Sequence, residues 1–597
     1  MSSTIARKLA AQTSTLVSNF NKRADQMKGR EDFKALLKQP QKERWLHAAD
    51  TLKLKEGTAV GVDGSMDYDE RMEMILFYVC ATAYKCPFKI DENTININIK
   101  KAERELRLTA SAAIPLWFED TTNILNPLTQ TDVEFELQQA IDRIPYSLMT
   151  LAELSITLNT LNQKETKIIF LDRPISGTFG PASRDLRAML KSGYSTLTTI
   201  ETSEGKPSML DLSIASILGP GNIYIPTRPP YLTYKAIQTL IQHTEMTKTE
   251  LANQLKLNDE KLNKLIKKLN EMNEHYNHQL LEKSDLTTIA IKPEVKTYWK
   301  RVKAAAEAVR TRVFEGTEHP LQLDEERWLT VLDINAVNLF LIYELLHQTH
   351  SKNVLLIGVT KDTVASDFTR SIIPYATHQG LIKSTSLPGI KNDRAFLTIL
   401  TSVNNQMIET PWRTMSYDVC FTTLTKSGDQ KTPLRAARKT VFRERLLVKA
   451  YFQSKTFTTD KEARSPVFVY DRFYSPVFDE QRCKQIEVLA RDGIIQIEPY
   501  IEDNDANPLD DLILTILTNS DNPEVLEALG HNQLLYLADK AVKAEVNLMR
   551  GMLRGVADLH LGTLARKRRY FYIIKGYRGL RAETEKARRA AAQREGA

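Results

Sequence analysis

Three short runs of branched apolar residues set the frame for this chain. TAVGV (58–62), KIIFL (167–171) and VLLIGV (354–359) are each followed at once by polar residues, DGS, DRP and TKDT. Runs this short and this rich in valine and isoleucine read as strands buried on both faces, which need helices on either side. Helical spacing of apolar residues does recur between them, at 130–162 and from Glu325 to His347. Strands alternating with helices predict an α/β sheet. Ligands in open α/β sheets bind beyond the carboxyl ends of strands. Asp63, Asp172 and Lys361 fall at such ends.

The 597 residues suggest three or four structural units at about 150 residues each. Residues 1–55 read as a helical segment. The core spans 56–177 and 350–530, and 178–349 is an insertion within it. Residues 531–597 form a helical region that ends in a basic tail. Within the core, ERMEMILFYVCATAYKC is expected beside the first strand, PVFVYDRF (466–473) as a strand, and DEQRCKQIEVLARDG (479–493) as a helix ending in glycine. Inside the insertion, 232–295 has the pattern of a winged helix-turn-helix. Thr247 and Glu250 have the spacing of a capping box. Leu251, Ala252 and Leu255 make one apolar face. Asn258 is a candidate N-cap for a second helix with Leu262, Leu265, Ile266 and Leu269 inside. Lys261, Lys264 and Lys268 would face outward, where a DNA-reading helix meets the major groove or a packing helix meets another protein.

The net charge of +7 is concentrated at one end. From Arg566 to the C-terminus eleven Lys and Arg, beginning with Arg566, Lys567, Arg568 and Arg569, face three Glu. Such a tail attracts phosphate backbones without reading sequence, or docks on another protein. The four cysteines form no CxxC pair, so a structural zinc site is not expected and free thiols in a reducing cytoplasm are. No apolar run is long enough for a membrane span, and the N-terminus reads as an amphipathic helix instead of a secretion signal. A cytoplasmic, nucleoid-associated protein is expected. GxxxxGK[ST] is absent, so the chain is not expected to hydrolyse a nucleoside triphosphate itself.

Two aspartates at strand ends, held rigidly and close, repel each other, and a divalent cation relieves that repulsion. Oxygen-only sites suit magnesium or manganese, which in nucleases activate water and stabilise the leaving oxygen.

The segments AVGVDGS, ELSITLNTLNQKETKIIFLDRPIS and VLLIGVTKDT, in that order, resemble the NurA nuclease family. The resemblance implies an RNase H-like core and hydrolysis of DNA phosphodiesters with Mn2+ or Mg2+. It also implies a homodimer and a separate HerA-like hexameric DNA-translocating ATPase as partner. Carried over, Asp63, Glu153 and Asp172 are the acids and Lys361 the basic partner, with Glu134 and Glu136 on the same stretch as Glu153. Two departures stand out. The second turn reads DRP where the family has DG. The family's closing tyrosine, proline and histidine correspond to EPYIEDNDANPLDDLIL, which has Tyr500 but no histidine. There Asp510 or Asp511 would replace the imidazole, giving the metal set Asp63, Glu153, Asp172 and Asp511. The departures also admit another reading, a DNA-binding or adaptor protein with a degenerate core, using the winged helix and the basic tail.

Overall fold

The computed structural model describes residues 2–560 except 72–73, 126–142, 244, 285–286, 362, 364, 384–388, 391, 420–423, 426–432, 437–442, 455–463, 491–492 and 521–530. The first helix, α1 (Ser2–Met27), is followed by the hairpin β1 (Glu56–Arg71) and β2 (Met74–Ile90), then by β3 (Glu103–Trp117). Next come α2 (Arg143–Thr160), β4 (Thr166–Leu171) and α3 (Ile175–Ser192). After the insertion, which holds α4 (Asp259–Tyr276), α5 (Val331–Lys352) leads into β5 (Leu355–Thr360). The last part supplies β6 (Leu447–Gln453), β7 (Phe468–Phe473), α6 (Pro508–Asn519) and α7 (Gln533–His560).

Among the described residues these seven strands belong to one 11-stranded mixed sheet, in which they run in the order β6-β7-β5-β4-β1-β2-β3. The three predicted strands lie side by side and parallel: Val62 is in register with Leu171, and Leu171 with Gly358. Their neighbours are antiparallel. The fold is thus a mixed α/β architecture around one large sheet. Helix α2 is buried on nearly every side, so it lacks an amphipathic stripe, and its hydroxyls bond back into the helix, Thr157 to the Glu153 carbonyl among them. On the β1–β2 hairpin lies α7. Its seat is tight: a Cβ on Gly61 would fall 2.7 Å from Leu534 Cβ, so only glycine admits the helix there. Further along, Arg550 and Arg554 of α7 reach Asp67 and Asp69 of β1.

The insertion holds helices at Leu232–Gln242, Lys248–Leu255 and α4 (Asp259–Tyr276), with a three-stranded antiparallel sheet of Met246–Thr247, Thr288–Ile291 and Leu281–Ser284. Thr247 and Glu250 form the expected reciprocal cap, and the Asn258 side chain accepts from the Lys261 amide at 3.0 Å. All seven residues of the two expected apolar faces are buried.

Two expectations fail. The strand holding Asp63 does not end at Val62. It continues to Arg71 because β2 stays paired with it to the tip. Residues 479–493 are not a helix. Ile486–Ala490 is a strand with Ile486 and Val488 inside, paired with Gly493–Ile497. Gly493, at φ +114°, belongs to that hairpin and not to a helix C-terminus. Alternation over five residues was hidden in helix-forming composition.

Candidate active site

The site forms where β4 stops and β1 does not. The Asp172 amide donates to the Val62 carbonyl at 3.1 Å, the last bond between these strands, which leaves Asp63 and Asp172 side by side at the break. Asp63 is 5% exposed, and its Oδ1 accepts from the Gly64 amide at 2.8 Å. Burial, joined by the charges of Asp172, Glu153 and Asp539, pushes its carboxyl well above the usual range. Burial also raises Asp172, to about 6. There Lys361 and Lys543 favour the anion, while Glu153 and Asp539 oppose it. Lys361 follows the end of β5, so the ends of neighbouring strands bring two acids and a lysine to one place.

The start of α7 brings a residue that the sequence reading missed. His531 immediately precedes Asn532, whose Oδ1 caps α7 by accepting from the Leu534 and Leu535 amides at 3.0 and 3.1 Å. The imidazole is buried, stacked on Phe468 at 6.1 Å between centroids, with Nε2 4.0 Å from Asp172 Oδ2. Neither ring nitrogen meets a hydrogen-bond partner among the described residues. Burial, and then the Lys361 charge, lower its pKa to about 3, so the contact with Asp172 is not an ion pair and the ring is neutral. A buried imidazole with two unsatisfied nitrogens is costly unless something binds it. Asp539, one turn and more into α7, adds a further carboxylate and is paired with Lys543 at 2.6 Å. No local motif marks His531. It stands 31 positions beyond Tyr500, the residue after which a histidine was sought.

Glu153 reaches the same cluster from α2, packed against the strand: a Cβ on Gly64 would lie 2.5 Å from Glu153 Oε1. Its carboxylate, however, is engaged by Arg173, the residue that makes the turn DRP. Arg173 Nε donates to Oε2, Nη2 to Oε1 at 3.1 Å, and Nη1 to Thr150 Oγ1 at 2.6 Å. Both partners are buried. Burial raises the Glu153 carboxyl, and the Arg173 charge pulls it back.

The expected fourth ligand, Asp511, is elsewhere. Its Oδ2 accepts from Arg44 Nε at 2.6 Å and its Oδ1 from Arg413 Nη2 at 2.7 Å, at the buried first turn of α6. Asp510 is likewise held by Arg472, and the Tyr500 hydroxyl by Ser416 and Asn507. These acids neutralise the buried Arg413 and Arg472 and the half-buried Arg44 and have no oxygen to spare, because the N-terminal segment and the 472–507 region close over α6. Lys261, Lys264 and Lys268 are exposed on α4, in the inserted unit, with Lys264 paired to Glu260 at 2.6 Å. Arg566, Lys567, Arg568 and Arg569 lie outside the described residues, as do Glu134 and Glu136.

Among the described residues, no three His, Cys, Asp or Glu side chains are gathered tightly enough to hold an ion as they stand. In this cluster Asp63 and Asp172 meet no Lys or Arg partner among the described residues, and neither nitrogen of His531 has a hydrogen-bond partner there. Their chemistry fits a divalent cation: two carboxylate oxygens and a neutral imidazole, in a site whose anions repel. No described helix is long and apolar enough to cross a membrane.

Neither a family model nor a curated protein matches the chain. Among solved structures the chain is similar to the NurA nuclease from Sulfolobus solfataricus, at 11% identity over 87% of this chain and 94% of that one, with a TM-score of 0.33. It is also similar to a structure of NurA, at 12% identity over 93% and 97%, TM-score 0.38. A third, NurA bound to dAMP and manganese, gives 12% identity over 93% and 95%, TM-score 0.34.

Proposed function

We propose that this chain is a divalent-metal-dependent DNA nuclease with an RNase H-like core, in the manner of the NurA family its strand-end motifs resemble. The observation that carries the reading is the pair Asp63 and Asp172 beside the unpartnered, neutral His531. These three residues would hold Mn2+ or Mg2+. When bound, such an ion supplies positive charge to a scissile phosphate and lowers the pKa of a water. The carboxylate oxygens of Asp63 and Asp172 would orient the attacking water by accepting hydrogen bonds from it. Lys361, at the neighbouring strand end, faces the negative charge that grows on the phosphate. His531 stays unprotonated over the working pH range, so it can bind without losing a proton first.

DNA would be gathered by the inserted unit and by the tail. The helix and strand order of 232–295 supports reading it as a winged helix with Lys261, Lys264 and Lys268 outward on α4. With no phosphate-loop motif in the sequence, a HerA-like hexameric ATPase would supply movement along DNA, and the nuclease would act as a homodimer on it. The engagement of Glu153 by Arg173 favours one other reading, a DNA-binding adaptor whose acids no longer cut. Incubating pure protein with labelled single- and double-stranded DNA, in Mn2+, in Mg2+ and in EDTA, separates the two. Metal-dependent cleavage is expected, and intact DNA in both metals, with DNA still bound, would leave only the adaptor.

A further inference from the structure

We infer that Arg173 stands where a second cation would otherwise be needed, so that this site takes a single divalent ion held by Asp63, Asp172 and His531. The inference rests on the nuclease reading above and sets its metal stoichiometry. Two-ion phosphodiesterase sites hold their ions about 4 Å apart, and the second ion needs carboxylate oxygens beyond those that hold the first. Here Glu153 is the carboxylate that would complete a second set, and both of its oxygens are taken by the Arg173 fork. The planar guanidinium matches a carboxylate in two places at once, and its remaining edge is satisfied by Thr150 Oγ1 at 2.6 Å. The pair is 1% and 5% exposed, so an ion competing for Glu153 would leave a buried arginine without its partner. The Glu153 carboxylate is also pinned from the other side, against Gly64, next to Asp63. Charge balance agrees. Asp63, Asp172 and Glu153 carry three negative charges when ionised; Arg173 cancels one, and one divalent ion cancels the other two. Asp539 and Lys543 pair with each other, and Lys361 is left for the phosphate. Arg173 is in this account a positioning residue: it touches neither ion nor DNA.

The test counts ions. The full chain is equilibrated with Mn2+, and free Mn2+ is read by its spin resonance signal across a titration. One ion per chain is expected. In the double variant Glu153→Gln/Arg173→Gln the amides can still hydrogen-bond without charge. That variant should keep one ion, with an affinity within about threefold of the native chain, because Glu153 is not a ligand. Arg173→Gly, which frees Glu153, should bind two. Two ions in the native chain, or loss of the ion in the double variant, overturns the inference while leaving a metal nuclease intact. No ion in the native chain overturns both. The native count and the double variant decide the matter even where Arg173→Gly does not fold.

Discussion

Two aspartates that burial pushes toward neutrality make the metal-free protein sensitive to pH in a definite direction. Asp172 is raised to about 6 in the folded state, against about 3.9 in an unfolded chain. The folded form therefore holds more protons in between. Its stability is full below about pH 4 and falls as the pH rises to 6 and beyond. The loss from Asp172 alone is on the order of 3 kcal/mol, and Asp63 moves in the same direction. Urea melts in EDTA at pH 5 and pH 8 should show the drop; Asp172→Asn should remove most of it, and a melt that rises with pH would contradict the assignment. Mn2+ should restore stability at pH 8 by mass action. Asp63→Asn and Asp172→Asn should each abolish cleavage yet leave DNA binding near native, because neither is a phosphate-contacting cation. His531 is tested by His531→Phe, which keeps a ring against Phe468 but removes both nitrogens. Mn2+ affinity should fall about tenfold or more, about 1.4 kcal/mol, while the EDTA melt holds or improves, since two unsatisfied buried nitrogens are gone. An unchanged Mn2+ isotherm would remove His531 from the site.

At the scale of elements, the site depends on a hairpin and a helix docking tightly. Gly61 in β1 admits α7 so closely that Gly61→Val forces the helix start outward, with His531 and Asp539 behind it. Overpacking of this kind costs about 1–3 kcal/mol, and the substitution should lower the melting temperature and weaken Mn2+ binding together. A drop in stability with native Mn2+ affinity would mean that the seat of α7 does not set the site. The three parallel strands were legible because each is a continuous apolar run, and the inserted unit because its caps obey spacing that local hydrogen bonding dictates. Other elements were not. Asp510 and Asp511 offered ligand chemistry in the sequence, but only packing reveals that Arg44, Arg413 and Arg472 already occupy them. His531 and Asp539 lie far along the chain from every motif, and reach the cluster only because α7 folds back on β1. Glu153 packs against the strand beside Asp63, but its capture depends on the side chain of Arg173, and strand patterns carry no information about that. On α4, the pairs Lys264–Glu260 and Lys267–Glu271 are exposed on both sides, so neutralising Lys261, Lys264 and Lys268 should leave stability unchanged within about 0.5 kcal/mol. If the unit meets DNA, that triple variant binds all sequences more weakly and with a shallower salt dependence. Native affinity would make it a protein-packing module.

For the molecule as a whole, charge is concentrated at one end of the sequence. The stretch from Arg566 onward carries a formal +8, and the rest of the chain is close to neutral at −1. A core near neutrality has little long-range pull on a polyanion, so the tail should dominate the non-specific attraction. Each phosphate neutralised adds about 0.9 to the slope of log affinity against log salt. Ending the chain after Leu564 should therefore lower affinity for duplex DNA at 50 mM salt far more than at 200 mM, and flatten that slope by several units. The same truncation should leave the melting temperature and the Mn2+ response nearly native, because β1, β4, β5 and α7, in or beside which Asp63, Asp172, Lys361 and His531 lie, all precede it. The measurement is a salt series of binding isotherms beside thermal melts of both chains. A large loss of thermal stability would make the tail part of the fold. A native salt slope with lost binding to a HerA-like hexamer would instead assign the tail to the motor, with DNA capture then resting on the inserted unit.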